Sequence, residues 1–105
     1  MCIYLIAIDE GPNIPLGPSP TVVGRHPGCD AWLESRRVSR RHCCLVRAEG
    51  EVFVRDLGST NGTWINGHRV DEGRLRPGDE LAVGGVRYRI EDGSAAAPTH
   101  RGAIL

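Results

Sequence analysis

The chain has 105 residues, enough for one domain with a single core and marginal for two. Apolar residues make up 40% of it and aromatic residues 5%, a globular composition whose core must rest on Val, Ile, Leu and Ala. Thirteen basic residues balance thirteen acidic ones, which argues against a general polyanion binder and so against nucleic acid as the partner.

All thirteen cations are arginine, a residue that holds phosphate bidentately and keeps its charge at any physiological pH. Compositional bias explains the lack of lysine equally well. Cys2, Cys29, Cys43 and Cys44 contain no C-x-x-C pair, and a vicinal pair is a poor start for a disulfide framework or a zinc site. Reduced, packed thiols are expected, with no metal and no cofactor. The apolar run 2–8 is too short to span a bilayer, lacks a basic flank and meets Asp9 and Glu10 directly. A cytoplasmic protein without membrane contact is the expectation.

In chain order, residues 2–8 read as a strand covered on two sides, and residues 9–20, with Pro12, Pro15, Pro18 and Pro20, as a loop. A short strand at 21–23 ends at Gly24. Arg25 opens a turn closed by Pro27 and Gly28, and residues 30–33 form another short strand. Residues 42–47 and 51–56 flank Ala48-Glu49-Gly50 as a hairpin. A strand at 63–65 turns at Asn66-Gly67 into 68–70. After Pro77-Gly78-Asp79, strands at 80–83 and 86–90 are joined by Gly84-Gly85. From Asp92 onward Gly, Ser, Ala and Pro replace any periodic pattern, so 92–105 is expected as tail or linker to a domain of 1–91. Short strands, regular turns and no sustained helical period predict an all-β antiparallel sandwich.

Three polar loops lie between these strands: Arg25 and its turn, 38–42, and 58–63. A phosphate needs several charge-assisted donors at once, and such donors are here. Arg25 offers a fork, Ser39 and Thr60 offer hydroxyls, and Arg40 offers a cation or an N–H. Ser39, His42 and Asp56 also have the types of a hydrolase triad, but no nucleophile elbow accompanies them. Gly62 is read as letting the last loop turn, and Gly58 as ending a strand where a Cβ would clash. Residues 36–41 carry four arginines, a run that ordinarily means a solvated surface or nonspecific nucleic-acid contact. Thr99, near His100 and Arg101, is a candidate modification site, although a lone Thr in a linker is usually nothing more.

Gly24-Arg25, then Ser39-x-x-His42, then Asp56-Leu57-Gly58-Ser59-Thr60-Asn61-Gly62-Thr63, with Asn66-Gly67 and Pro77-Gly78-Asp79 after it, strongly resembles the forkhead-associated domain over residues 21–90. The resemblance implies a sandwich of about eleven strands with binding loops at one end, and a reader of phosphothreonine in extended peptides rather than an enzyme. It implies that Arg25, Ser39, Arg40 and Thr60 bind phosphate, with Arg40 at a variable position, and that Asn61 bonds the peptide backbone. Gly24, His42 and Gly62 would support the loops. Arg37 would face the third residue after the phosphothreonine and favour an acidic side chain there, while Arg69 would play no part. The partner implied is a protein phosphorylated in a Ser/Thr kinase pathway. The alternative is a protein-protein scaffold that does not need phosphate. Choice of threonine over serine would come from one buried methyl, worth roughly 1 kcal/mol or somewhat more, enough for about a tenfold preference.

Overall fold

A computed structural model describes residues 3–9 and 11–93. Cys2, Thr99 and nearly all of the expected tail lie outside the described residues. Eleven strands run β1 (Ile3–Ala7), β2 (Ile14–Leu16), β3 (Thr21–Gly24), β4 (Ala31–Trp32), β5 (Cys43–Ala48), β6 (Glu51–Asp56), β7 (Thr63–Ile65), β8 (His68–Val70), β9 (Glu72–Leu75), β10 (Glu80–Val83) and β11 (Val86–Asp92). They form a six-stranded sheet, β2-β1-β11-β10-β7-β8, and a five-stranded sheet, β4-β3-β5-β6-β9.

The two sheets bury one face each, and strand alternation decides which side chains meet. Ile3 and Leu5 of β1, Leu81 of β10 and Ile90 of β11 enter the core from the larger sheet, and Val23, Leu45, Val52, Val54 and Leu75 from the smaller. Tyr88 is the one fully buried aromatic; Trp32 and Phe53 are exposed. Aliphatic residues thus carry the core, as composition required.

Two turns reach positive φ at both central positions, Glu49-Gly50 (49° and 81°) and Asn66-Gly67 (48° and 84°), the backbone that suits a two-residue hairpin. Registers Ala48↔Glu51 and Ile65↔His68 follow directly.

One expectation needs correction, and two features add to what was expected. Residues 9–20 are not all loop: β2 pairs with β1 through Tyr4↔Pro15 and buries Ile14 and Leu16. Proline is tolerated there because β2 is an edge strand whose outer side needs no donor. Residues 72–75 also form a strand, β9, although only Leu75 among them is buried and so no alternation announces it. The sandwich is antiparallel as expected apart from one short pair, β3 and β4, which run parallel at Val23↔Ala31 and Gly24↔Trp32. β11 also runs to Asp92, one residue past the expected boundary.

Candidate functional site

The chain leaves β3 at Gly24 with no room for a side chain. A Cβ there would collide with the Arg40 carbonyl oxygen and lie 2.9 Å from Cys29 Sγ. This close approach lets the Arg25 N–H donate to the Ser39 carbonyl at 2.9 Å and Arg25 Nε to the Val38 carbonyl at 3.0 Å. The two terminal nitrogens of the exposed Arg25 guanidinium bond to nothing among the described residues. Two uncommitted donors on a pinned, exposed arginine are what a phosphate fork requires.

Ser39 Oγ accepts the Thr60 N–H at 3.1 Å, which leaves its own hydrogen available to an anion. Asn61 Nδ2 donates to the Arg37 carbonyl at 2.8 Å. Arg25, Ser39 and Thr60 therefore sit on one hydrogen-bonded chain spanning three loops, and Asn61 ties the third loop to the second through the Arg37 carbonyl. Arg40 presents an exposed guanidinium beside it, while its carbonyl accepts the His26 N–H and the Cys29 thiol. Burial pushes the neighbouring strand's Cys43 thiol up to about 12, so that sulfur is inert packing.

His42 is fully buried and holds the loops from beneath. Its Nδ1 accepts the Ser39 N–H at 3.0 Å, which fixes the proton on Nε2, and Nε2 donates to the Gly62 carbonyl at 2.7 Å. With both ring nitrogens spent on backbone groups, His42 takes no proton from Ser39 Oγ. Asp56 is committed elsewhere as well. Its carboxylate accepts the Gly58 and Ser59 N–H groups at 3.0 and 2.9 Å, the Ser59 hydroxyl, and the Thr63 hydroxyl at 2.7 Å. The three residues do not assemble a hydrolase triad.

Burial works to raise the Asp56 pKa, but these four hydrogen bonds win and hold it below its ordinary 3.8. Ser59 passes the order on by accepting the Gly62 N–H at 3.0 Å. Gly62 adopts φ +90°, and a Cβ on it would meet Arg69 Nε at 2.6 Å. Arg69 thus lies against the binding loop rather than apart from it. Gly58 departs from expectation too: a Cβ there meets nothing within 4 Å, and its φ of +82° is what demands glycine.

Sequence reasoning passed over three contributors. Asp56, Ser59 and Thr63 form the internal clamp of the last loop, signalled by an acid followed by hydroxyls three and seven residues on. Trp64 Nε1 donates to the Asn61 carbonyl at 3.0 Å. Gly84 N–H donates to the Gly62 carbonyl, and a Cβ on Gly84 would strike the Arg37 carbonyl oxygen, so the β10–β11 turn is a fourth wall.

Charge completes the picture. Arg55, Arg74, Arg76 and Arg87 pair with acidic side chains, whereas Arg25, Arg36, Arg37, Arg40 and Arg41 make no ion pair among the described residues. The loop end therefore keeps five uncompensated cations, a field that attracts a compact anion.

A model of the FHA domain family matches residues 21–84, more than half of the chain. The chain belongs to the FHA domain family. It is 38% identical over 88% of its length to the oxoglutarate dehydrogenase inhibitor of Corynebacterium efficiens. It is 36% identical over 90% of its length to the glycogen accumulation regulator GarA of Mycobacterium tuberculosis. The aligned part spans 68% of the first relative and 65% of the second. Among solved structures it is similar to one described in a structural and functional analysis of phosphothreonine-dependent FHA domain interactions. That match has a TM-score of 0.81 and 28% identity, covering 88% of this chain and 97% of that one. Its shared fold is the FHA sandwich, and the three loops described above fall within or beside the matched residues. No helix among the described residues is long and apolar enough to cross a membrane.

Proposed function

We infer that this FHA domain is a phosphothreonine-dependent peptide-binding module that recruits proteins marked by Ser/Thr kinases. The observation that carries the reading is the hydrogen-bonded chain from Arg25 through Ser39 to Thr60, with the terminal Arg25 donors uncommitted among the described residues. Arg25 and Ser39 take the phosphate, Thr60 and Arg40 support it, and Asn61 bonds the peptide backbone. Arg37 faces a residue after the phosphothreonine and favours an acidic one. Gly24, His42 and Gly62 hold the geometry.

The module acts by binding and not by turnover. The names of the two relatives, an inhibitor and a regulator, suit a domain that acts on other proteins. A cytoplasmic setting belongs to the same proposal, because the free thiols of Cys29, Cys43 and Cys44 suit a reducing compartment. We assign the folded module to the residues up to the end of β11 and treat the remainder as linker. A phosphate-independent scaffold has one observation in its favour, the exposed Val46 and Phe53 on the outer face of the smaller sheet.

A degenerate phosphothreonine peptide array supplies the ligand, and titration with matched phosphothreonine, phosphoserine and unmodified peptides tests the reading. Arg25→Ala and Ser39→Ala are each expected to lose at least tenfold in affinity, about 1.4 kcal/mol or more. Arg74→Ala, whose guanidinium pairs with Glu51 on the other face, keeps wild-type affinity. Equal binding of all three peptides overturns the reading.

A further inference from the structure

A sizeable concavity lies beside the phosphate loops rather than on them. It is a cleft of about 620 Å³ between the β1–β2 connection, the segment after β4 and the β10–β11 turn. Trp32, 48% exposed, forms one wall, and Val86 and Leu33 add apolar surface. Arg37 stands at its mouth and is shared with the phosphate site, since the Arg37 carbonyl accepts the Asn61 amide. The opposite rim is the bidentate pair of Arg87 with Asp9 at 2.9 Å.

Tyr88 lines the same cleft and is fully buried, and its hydroxyl is the one buried side-chain polar atom without a hydrogen-bond partner among the described residues. A Cβ built on Gly11, another lining residue, would sit 3.6 Å from that hydroxyl, so the absence of a side chain at Gly11 leaves the β1–β2 connection thin beside it. An orphaned buried hydroxyl destabilises a fold, and phenylalanine would pack in its place without that penalty. Retaining it makes physical sense where the hydroxyl meets a ligand.

We propose that this cleft is a second specificity subsite, resting on the phosphothreonine reading above. The stretch of phosphopeptide that leaves the site past Arg37 inserts an aromatic side chain bearing a hydrogen-bonding group (tyrosine, histidine or tryptophan) against Trp32, with its polar end toward Tyr88 Oη. Continuity through Arg37 commits the occupant to the same peptide. The volume suits several residues rather than one, because pockets of this size ordinarily enclose a whole small ligand. An aromatic ring against a half-exposed tryptophan gains area and ring stacking together. Recognition therefore extends beyond the residue that Arg37 faces.

The test uses the full chain and an oriented phosphothreonine library randomised for six positions on either side. The selected sequence is then made in a long form and in a short form that ends at the residue facing Arg37. An aromatic preference on one side only is expected beyond that residue, and the long peptide binds at least fivefold tighter than the short one. Trp32→Ala abolishes the difference and leaves the short peptide's affinity unchanged. Tyr88→Phe raises the melting temperature yet lowers the long peptide's affinity, a pairing that a merely structural hydroxyl would not produce. If long and short phosphopeptides bind equally, or Tyr88→Phe leaves the long peptide untouched, the subsite is refuted while phosphothreonine reading stands. If neither peptide shows phosphate-dependent binding, both fall.

Discussion

At the scale of single residues the site is held by hydrogen bonds that face inward, leaving the outward donors for the ligand. Trp64 shows the division. Its indole N–H fixes the Asn61 carbonyl from the strand side, and the Asn61 amide is thereby oriented onto the Arg37 carbonyl. Trp64→Phe keeps a six-membered aromatic ring and removes that N–H together with the five-membered ring that carries it. Phosphopeptide affinity is expected to fall about three- to tenfold, in the range of one neutral hydrogen bond, with the melting temperature changed little. Isothermal titration beside a thermal melt checks both, and a double mutant with Asn61→Ala should show no further loss beyond Asn61→Ala alone.

Protonation separates ligand from fold. The folded Asp56 carboxyl binds its proton more weakly than the unfolded chain does, because the bonds from Ser59, Thr63 and Gly58 outweigh burial. Its stabilisation is complete above the unfolded value and disappears as pH falls through the lower folded one. The phosphate, with a second pKa of about 6, loses charge earlier. Between pH 7 and 5 affinity is expected to fall severalfold while the melting temperature changes little. The fold should weaken only below about pH 4, and Asp56→Asn should flatten that acid limb.

At the scale of elements, each loop is placed by a strand end or turn that tolerates no alternative. Gly84 has φ +62° and packs on the Arg37 carbonyl, so the β10–β11 turn shapes a loop nearly fifty residues earlier. Gly84→Ala adds both a clash and a strained dihedral, for a cost of about 1–3 kcal/mol. It should weaken phosphopeptide binding by displacing Arg37 from Asn61. A urea melt and a peptide titration read the two effects, and unchanged affinity would show that the turn does not position the site. Asn66 acts similarly at a distance from the ligand. Its amide bonds Asp79 at 3.1 Å and accepts the Glu80 N–H at 2.9 Å, tying the β7–β8 hairpin to β10.

At the scale of the whole molecule, the first and last strands close the larger sheet, since β1 pairs with β11 from Ile3↔Asp92 to Ala7↔Tyr88. Stability therefore depends on the chain reaching Asp92. A protein ended after Gly93 should melt and bind phosphopeptide like the full chain, whereas one ended after Arg87 should lose Tyr88 and Ile90 from the core and fail to fold. Circular dichroism and titration of the two truncations decide whether residues 94–105 contribute.

Much of this was legible in one dimension. Loop chemistry is local: Gly24-Arg25, Ser39-x-x-His42 and the run from Asp56 to Thr63 carry their spacing in the sequence, and hairpin turns such as Asn66-Gly67 follow from backbone sterics. The family, the sandwich and the three-loop site were accessible for that reason. Tertiary structure alone decided the rest. β2 and β9 exist because neighbouring strands supply their partners: the alternation of Ile14 and Leu16 is only three residues long and centred on a proline, and β9 has none. The clamp on Asp56, the Trp64 bond and the Gly84 contact join groups whose roles depend on packing, and no periodicity encodes them. The cleft beneath Arg37 is the clearest case. Asp9, the segment from Trp32 to Arg37, and Tyr88 are far apart in sequence, and only closure of the two sheets brings them around one cleft.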